Sequence, residues 1–207
     1  MTLKYEKFIT KEFNMKKVVL IGMLFFMGLF TVNAQGFYFD IGIGFGGAVT
    51  KLNGIDVSSS VGNVTEIGVD LGLKAGYGPI ADMPLYAVGT IGGIGHRMDD
   101  GGDYLQFNSY IIGVGVIFYP IPLIQIAGSI GFSFVGNQTS LPMVMYKSNG
   151  GFAGDISVAV DLGKKNHGCL IGIRYFGALN ELEISGAEQS TSYFGIFVRY
   201  TYRNKIR

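Results

Sequence analysis

The 207-residue sequence has no tryptophan, five prolines and a single cysteine, Cys169, and only 15% of its residues are charged. One cysteine excludes an intrachain disulfide framework. Its position far from the N-terminus also excludes a lipoprotein anchor. From residue 35 onward, 11 Lys and Arg face 13 Asp and Glu. This near-neutral balance gives no long-range pull toward nucleic acid or an anionic membrane surface, so neither partner is expected. Beyond residue 34 no apolar run approaches the ~20 residues that a spanning helix needs. Yet 48% of the chain is hydrophobic and 33 residues are glycine, so the apolar residues must follow another period.

The N-terminus reads as an export signal. Lys16 and Lys17 precede an apolar run over residues 18–30, then Val32-Asn33-Ala34 and Gln35. A basic stretch, an apolar stretch and small residues mark a secretory signal, here cleaved after Ala34. The apolar run is too short for a spanning anchor, and no basic stop follows it. Met15 heads this signal, so residues 1–14 read as an over-called gene start. The expected organisation is residues 1–34 as extension plus signal, and residues 35–207 as one domain.

That domain alternates with period two. In residues 37–46, Phe37, Phe39, Ile41, Ile43 and Phe45 interleave with Tyr38, Asp40, Gly42, Gly44 and Gly46. A strand with one apolar face reads this way. Residues 66–77 repeat it, with Ile67, Val69, Leu71 and Leu73 against Glu66, Asp70 and Lys74. So do Tyr110 to Phe118, Ile124 to Phe134, Phe152 to Leu162, Cys169 to Tyr175 and Phe194 to Tyr202. Residues 85–97 are apolar or glycine on both faces, and Gly92-Gly93 is read as a bulge. In lipid every backbone polar group must be paired within the protein, and without helices that requires a closed barrel. The fold expected is all-β: a membrane-spanning, up-and-down antiparallel barrel of eight strands.

Connection lengths orient it. Residues 50–63, 98–103, 137–149 and 179–190 are mostly long and polar, whereas 78–84, 120–123 and 163–168 are short. Outer-membrane barrels place short turns in the periplasm, so both termini are expected there. Aromatics sort by depth as a lipid-facing belt should. Phe37, Phe39, Tyr77, Tyr86, Phe118, Tyr200 and Tyr202 mark the inner end. Phe45, Phe107, Phe132, Phe134, Phe152, Tyr175 and Phe194 mark the outer one, with aliphatics between.

On these residues the chain resembles the small outer-membrane barrels grouped with OmpW, OmpX and the OmpA transmembrane domain. The start at residues 37–42 resembles OmpW. The terminal strand, with Phe194, Ile196, Val198, Tyr200 and Tyr202, resembles the signal read by the barrel-assembly machinery. The resemblance implies outer-membrane lipids and that machinery as partners. It also implies passive uptake of small apolar solutes as a function. The alternative is a non-transporting surface barrel, an adhesin or envelope anchor acting through its outer loops.

No catalytic, cofactor or metal residues are expected. His96 lacks the nearby serine of lipid-deacylating barrels, and His167 falls in a periplasmic turn; both read as exposed or strand-end residues. Asp99, Asp100 and Asp103 read as a solvated turn rather than a protease pair or calcium loop. Gly42-Ile43-Gly44-Phe45-Gly46-Gly47 satisfies a dinucleotide pattern, but no helix follows it. The inward positions carry the candidate chemistry. Asp40 is expected between Lys74 and Arg199, and Asp155 beside Arg174, pairing that would obstruct the lumen. Glu66 and Asp70, with no cation expected at their depth, would leave an acidic pocket in the outer half. An apolar stretch at Leu141 to Met145 would suit a vestibule or a contact patch.

Overall fold

The computed structural model describes residues 34–61, 64–80, 83–100, 102–140, 148–163, 166–183 and 186–203. The chain divides into two compact units, residues 1–34 and 35–207, and the second carries the fold. Residues 1–33, which hold all but Ala34 of the expected export signal, and the apolar stretch at 141–145 lie outside the described residues.

Eight long strands form the domain: β1 (Ala34–Leu52), β2 (Thr65–Ile80), β3 (Leu85–Asp100), β4 (Asp103–Ile121), β5 (Ile124–Val135), β6 (Ser148–Asp161), β7 (His167–Leu182) and β8 (Glu188–Arg203). Each pairs antiparallel with its neighbours in sequence. β8 pairs with β1 from Tyr38↔Arg203 to Leu52↔Gln189, which closes the ring and leaves no edge for lipid to meet. Two-residue strands at Ile55–Asp56 and Gln138–Thr139 and a helical turn at Ser58–Val61 decorate the outer end.

The period-two reading gives the right faces on seven strands. Ile41, Ile43, Phe45, Leu71, Ile112, Val116, Ile130, Ile156, Val158, Ile173, Ile196 and Val198 are exposed on the outer wall. At the inner end Phe37 packs against Tyr77 and Tyr202, with ring centroids 5.9 and 6.4 Å apart. At the outer end Tyr110 stacks on Phe134 at 5.2 Å.

β3 requires two corrections. Tyr86 is not part of the belt: it is buried in the lumen with Tyr38, Val88, Ile117 and Tyr119. Gly92-Gly93 is not a bulge, since both residues continue the register with β2 and β4. Register shifts occur instead at Phe118/Ile121 and Ser148/Gly150. The face of β3 is fixed by its neighbours, Leu73↔Ile91 and Ile91↔Ile112, because its own outward residues include Ala87, Gly89, Gly93 and Gly95. A strand whose outer face carries so few side chains has no legible alternation.

Phe107 is the third correction, and its cause is the solvent. The strands run well past the ~9–11 residues that cross a bilayer. Where a loop over residues 98–103 is expected, the ladder continues through residues 98–100 to Asp100↔Asp103, and β7 and β8 extend as far as Glu181↔Glu188. Beyond the lipid the apolar face must turn inward. Met98, Leu105 and Phe107 are buried, with Leu52, Val57 and Val64 packed against them. Outward positions there become Arg97, Asp99, Tyr104 and Gln106 instead.

Candidate functional site

The lumen is where the inward side chains converge, and its centre is a chain of charges contributed by β1, β2, β6, β7 and β8. Arg199 places Nη1 3.5 Å from Asp40 Oδ1 and Nη2 3.2 Å from Asp70 Oδ2. Arg174 donates from Nη1 to the other oxygen of Asp70, and from Nε to Asp155 Oδ2 at 2.9 Å. Lys74 Nζ reaches the same Asp155 oxygen at 3.2 Å. The order is Asp40, Arg199, Asp70, Arg174, Asp155, Lys74: carboxylate and cation alternate, and the six formal charges cancel. None of these side chains is more than 2% exposed. Charges so far from water are tolerable only when paired this way.

Asp155 and Arg174 meet, as do Asp40 and Arg199. Two expectations are corrected. Lys74 forms its ion pair with Asp155 rather than Asp40, whose second oxygen accepts a hydrogen bond from Tyr38 at 2.8 Å. Asp70 does not line an acidic outer pocket; it is fully buried between two guanidiniums. Matching charges by depth along each hairpin misses this, because Arg and Lys stems are long enough to cross an eight-stranded lumen. A neighbouring glycine carries the signal: a Cβ on Gly72 would stand 2.8 Å from Arg199 Nη2. An inward glycine here is the space into which a guanidinium folds.

Toward the inner end, polar contacts continue through residues that the sequence reading does not single out. Gln125 Nε2 donates to the hydroxyls of Tyr38 and Tyr119, each at 2.8 Å, and Tyr119 donates to Asp161 at 3.1 Å. Arg203 closes this end. Its Nε lies 3.0 Å from Asp161, its Nη2 donates to the Pro122 carbonyl at 2.8 Å, and its guanidinium covers the Tyr119 ring at 3.9 Å. The inward parity of Tyr38 and Tyr119 is the available signal for this set.

Toward the outer end, an apolar layer of Ile94, Ile111, Phe176 and Tyr193 covers the charges. Above it, His96 corrects the reading of an exposed or strand-end residue: it is fully buried. Its Nδ1 is 3.0 Å from Thr50 Oγ1 and its Nε2 3.1 Å from Glu66 Oε2. This is the partner that Glu66 finds, and the hydroxyl, imidazole and carboxylate tie β1, β3 and β2 together. Thr50 is itself buried, whereas the Glu66 side chain is 36% exposed, so the trio runs from the buried imidazole out to the rim. His167 is exposed on the outer wall, with Nδ1 2.6 Å from the Tyr200 hydroxyl. Asp99 holds Arg97 through two hydrogen bonds of 2.7 and 2.8 Å. Among the described residues no group of three or more His, Cys, Asp or Glu is placed to hold a metal ion. Phe194, Ile196, Val198 and Tyr200 lie exposed on the outer wall of β8.

No family model and no curated protein matches the chain. Solved structures do. Ail, the attachment invasion locus protein of Yersinia pestis, in complex with the heparin analogue sucrose octasulfate, is 14% identical with a TM-score of 0.50. The match covers 79% of this chain and 98% of that one. Neisserial surface protein A is 14% identical with a TM-score of 0.49, over 79% and 95% of the two chains. The outer membrane protease OmpT from Escherichia coli is 10% identical with a TM-score of 0.42, over 83% and 98%. The fold shared with Ail and the apolar belt around a closed ring agree: the chain has the fold of an outer-membrane β-barrel.

Proposed function

We propose that this barrel is a non-transporting surface protein, a closed anchor that presents its outer strand extensions to partners outside the cell. The observation that carries the reading is the buried chain of six charges across the lumen. Passive uptake of apolar solutes would need a path past it and past the Ile94, Phe176 and Tyr193 layer. Opening that path means separating ion pairs in a dry interior, which costs several kcal/mol for each charge left alone. Single-channel recording of the purified barrel in a planar bilayer tests this. The expected result is no stable conductance; a large ohmic one would return uptake as the function.

The outer rim indicates the kind of partner. Asp56, Glu66, Asp99, Asp100, Asp103, Glu181, Glu183 and Glu188 stand at that end among the described residues, against Lys51 and an Arg97 already held by Asp99. Ail carries a sulfated ligand in its structure, but a rim of carboxylates repels sulfates, so a cationic partner fits this chain. The export signal and the β8 residues Phe194, Ile196, Val198, Tyr200 and Tyr202 complete the proposal. They imply cleavage after Ala34 and insertion by the barrel-assembly machinery, and the mature protein should begin at Gln35 by intact mass.

A further inference from the structure

The outer wall is not evenly covered. Where β6, β7 and β8 run side by side, Gly154 pairs with Gly177 and Gly177 with Ser192, so a row of three positions carries almost no side chain. Around it stand Ile130, Phe152 and Tyr175, exposed by 58%, 60% and 49%. The result is a depression of about 490 Å³ that reaches down to the strand backbone. It is open space: a Cβ on Gly177 would meet nothing nearer than the Tyr175 ring at 3.8 Å. Its level is that of the outer aromatic belt, and it is continuous with the lipid-facing surface on every side.

We propose that this depression holds one acyl chain of an outer-leaflet lipid, retained by the barrel rather than exchanging freely with the bilayer. Three properties select that occupant. The backbone of the floor is paired in the β-ladder, so it makes little demand on a polar ligand or on water. The walls are aliphatic and aromatic, and a flexible chain seated among them is contacted on several sides, gaining dispersion contacts that a convex wall does not offer. Phe152 and Leu179 stand on the outer side of the glycine row and Ile156 and Tyr175 on its inner side, so apolar side chains flank the depression at both levels, as the length of an acyl chain requires. The inference depends on the barrel lying in the outer membrane, not on the lumen being closed.

The absence of tryptophan provides the test. Ser192→Trp places a single fluorophore in the depression, and Phe45→Trp places one on the β1 wall at a similar depth. Each variant, folded in a short-chain detergent, is titrated with a phosphatidylcholine brominated on its acyl chains. The expected result is saturable quenching at one lipid per barrel for Ser192→Trp, and shallow, non-saturating quenching for Phe45→Trp. Adding Gly177→Leu to Ser192→Trp fills the depression and should abolish saturation. Gly154→Leu serves the same purpose should the first variant lose the heat-dependent gel shift of a folded barrel. Indistinguishable curves for the two reporters, or saturation that survives both leucines, would overturn the proposal. So would dimerisation in sedimentation that either leucine abolishes, which would make a second copy of the chain the occupant.

Discussion

Asp70 accepts from two guanidiniums, one on each oxygen, whereas Asp40 contacts only one of them and has Tyr38 besides. Removing each therefore has a different consequence. Asp70→Ala leaves Arg174 and Arg199 facing each other across a dry gap and should cost ~3–5 kcal/mol. Asp40→Ala leaves Arg199 its bond to Asp70 and should cost less, ~1–3 kcal/mol. Urea unfolding in detergent micelles, followed by circular dichroism, ranks the two; equal midpoints would mean that the charges do not act as a connected chain. That these residues face inward is legible in the sequence, because parity alone assigns them. Their partners are not: depth along a hairpin says nothing about which long side chain bridges the lumen, and Gly72 is informative only once Arg199 is known to lie above it.

Strands declare themselves in proportion to how different their two faces are. On β4, Val114 faces lipid between Gly113 and Gly115, and Val114→Arg puts a guanidinium at mid-depth in hydrocarbon. It should cost ~2–4 kcal/mol, read from the shift in urea midpoint in vesicles, and an unchanged midpoint would reverse the face assignment. On β3 both faces are small or apolar, which is why Tyr86 reads as belt aromatic until pairing with Ile117 turns it inward. A rule of alternation also assumes one solvent along the whole strand. β4 crosses from lipid into water near Gln106, so Phe107 has the parity of the lumen and the hydropathy of the belt. Hydropathy misassigns it.

For the whole molecule, carboxylates dominate the outer rim among the described residues, while Arg203 stands at the inner end. A barrel immobilised through its periplasmic end should retain a lysine-rich peptide and release heparin. Retention should fall as salt rises, because exposed charges are screened over about 10 Å at 0.1 M. Preference for the sulfated polysaccharide would contradict the cationic partner. The inward cap of Met98, Leu105 and Phe107 has a mechanical consequence as well. Because the ladder continues to Asp100↔Asp103 around its own apolar filling, the β3–β4 hairpin is a stiff mast rather than a tethered loop. The eight residues from Tyr110 to Asp103 rise on the order of 20 Å at about 3.4 Å per residue, somewhat less with tilt. Whatever engages the rim meets it at a fixed height above the lipid, clear of the headgroups, and pulls on a lever rooted in the ion pairs below.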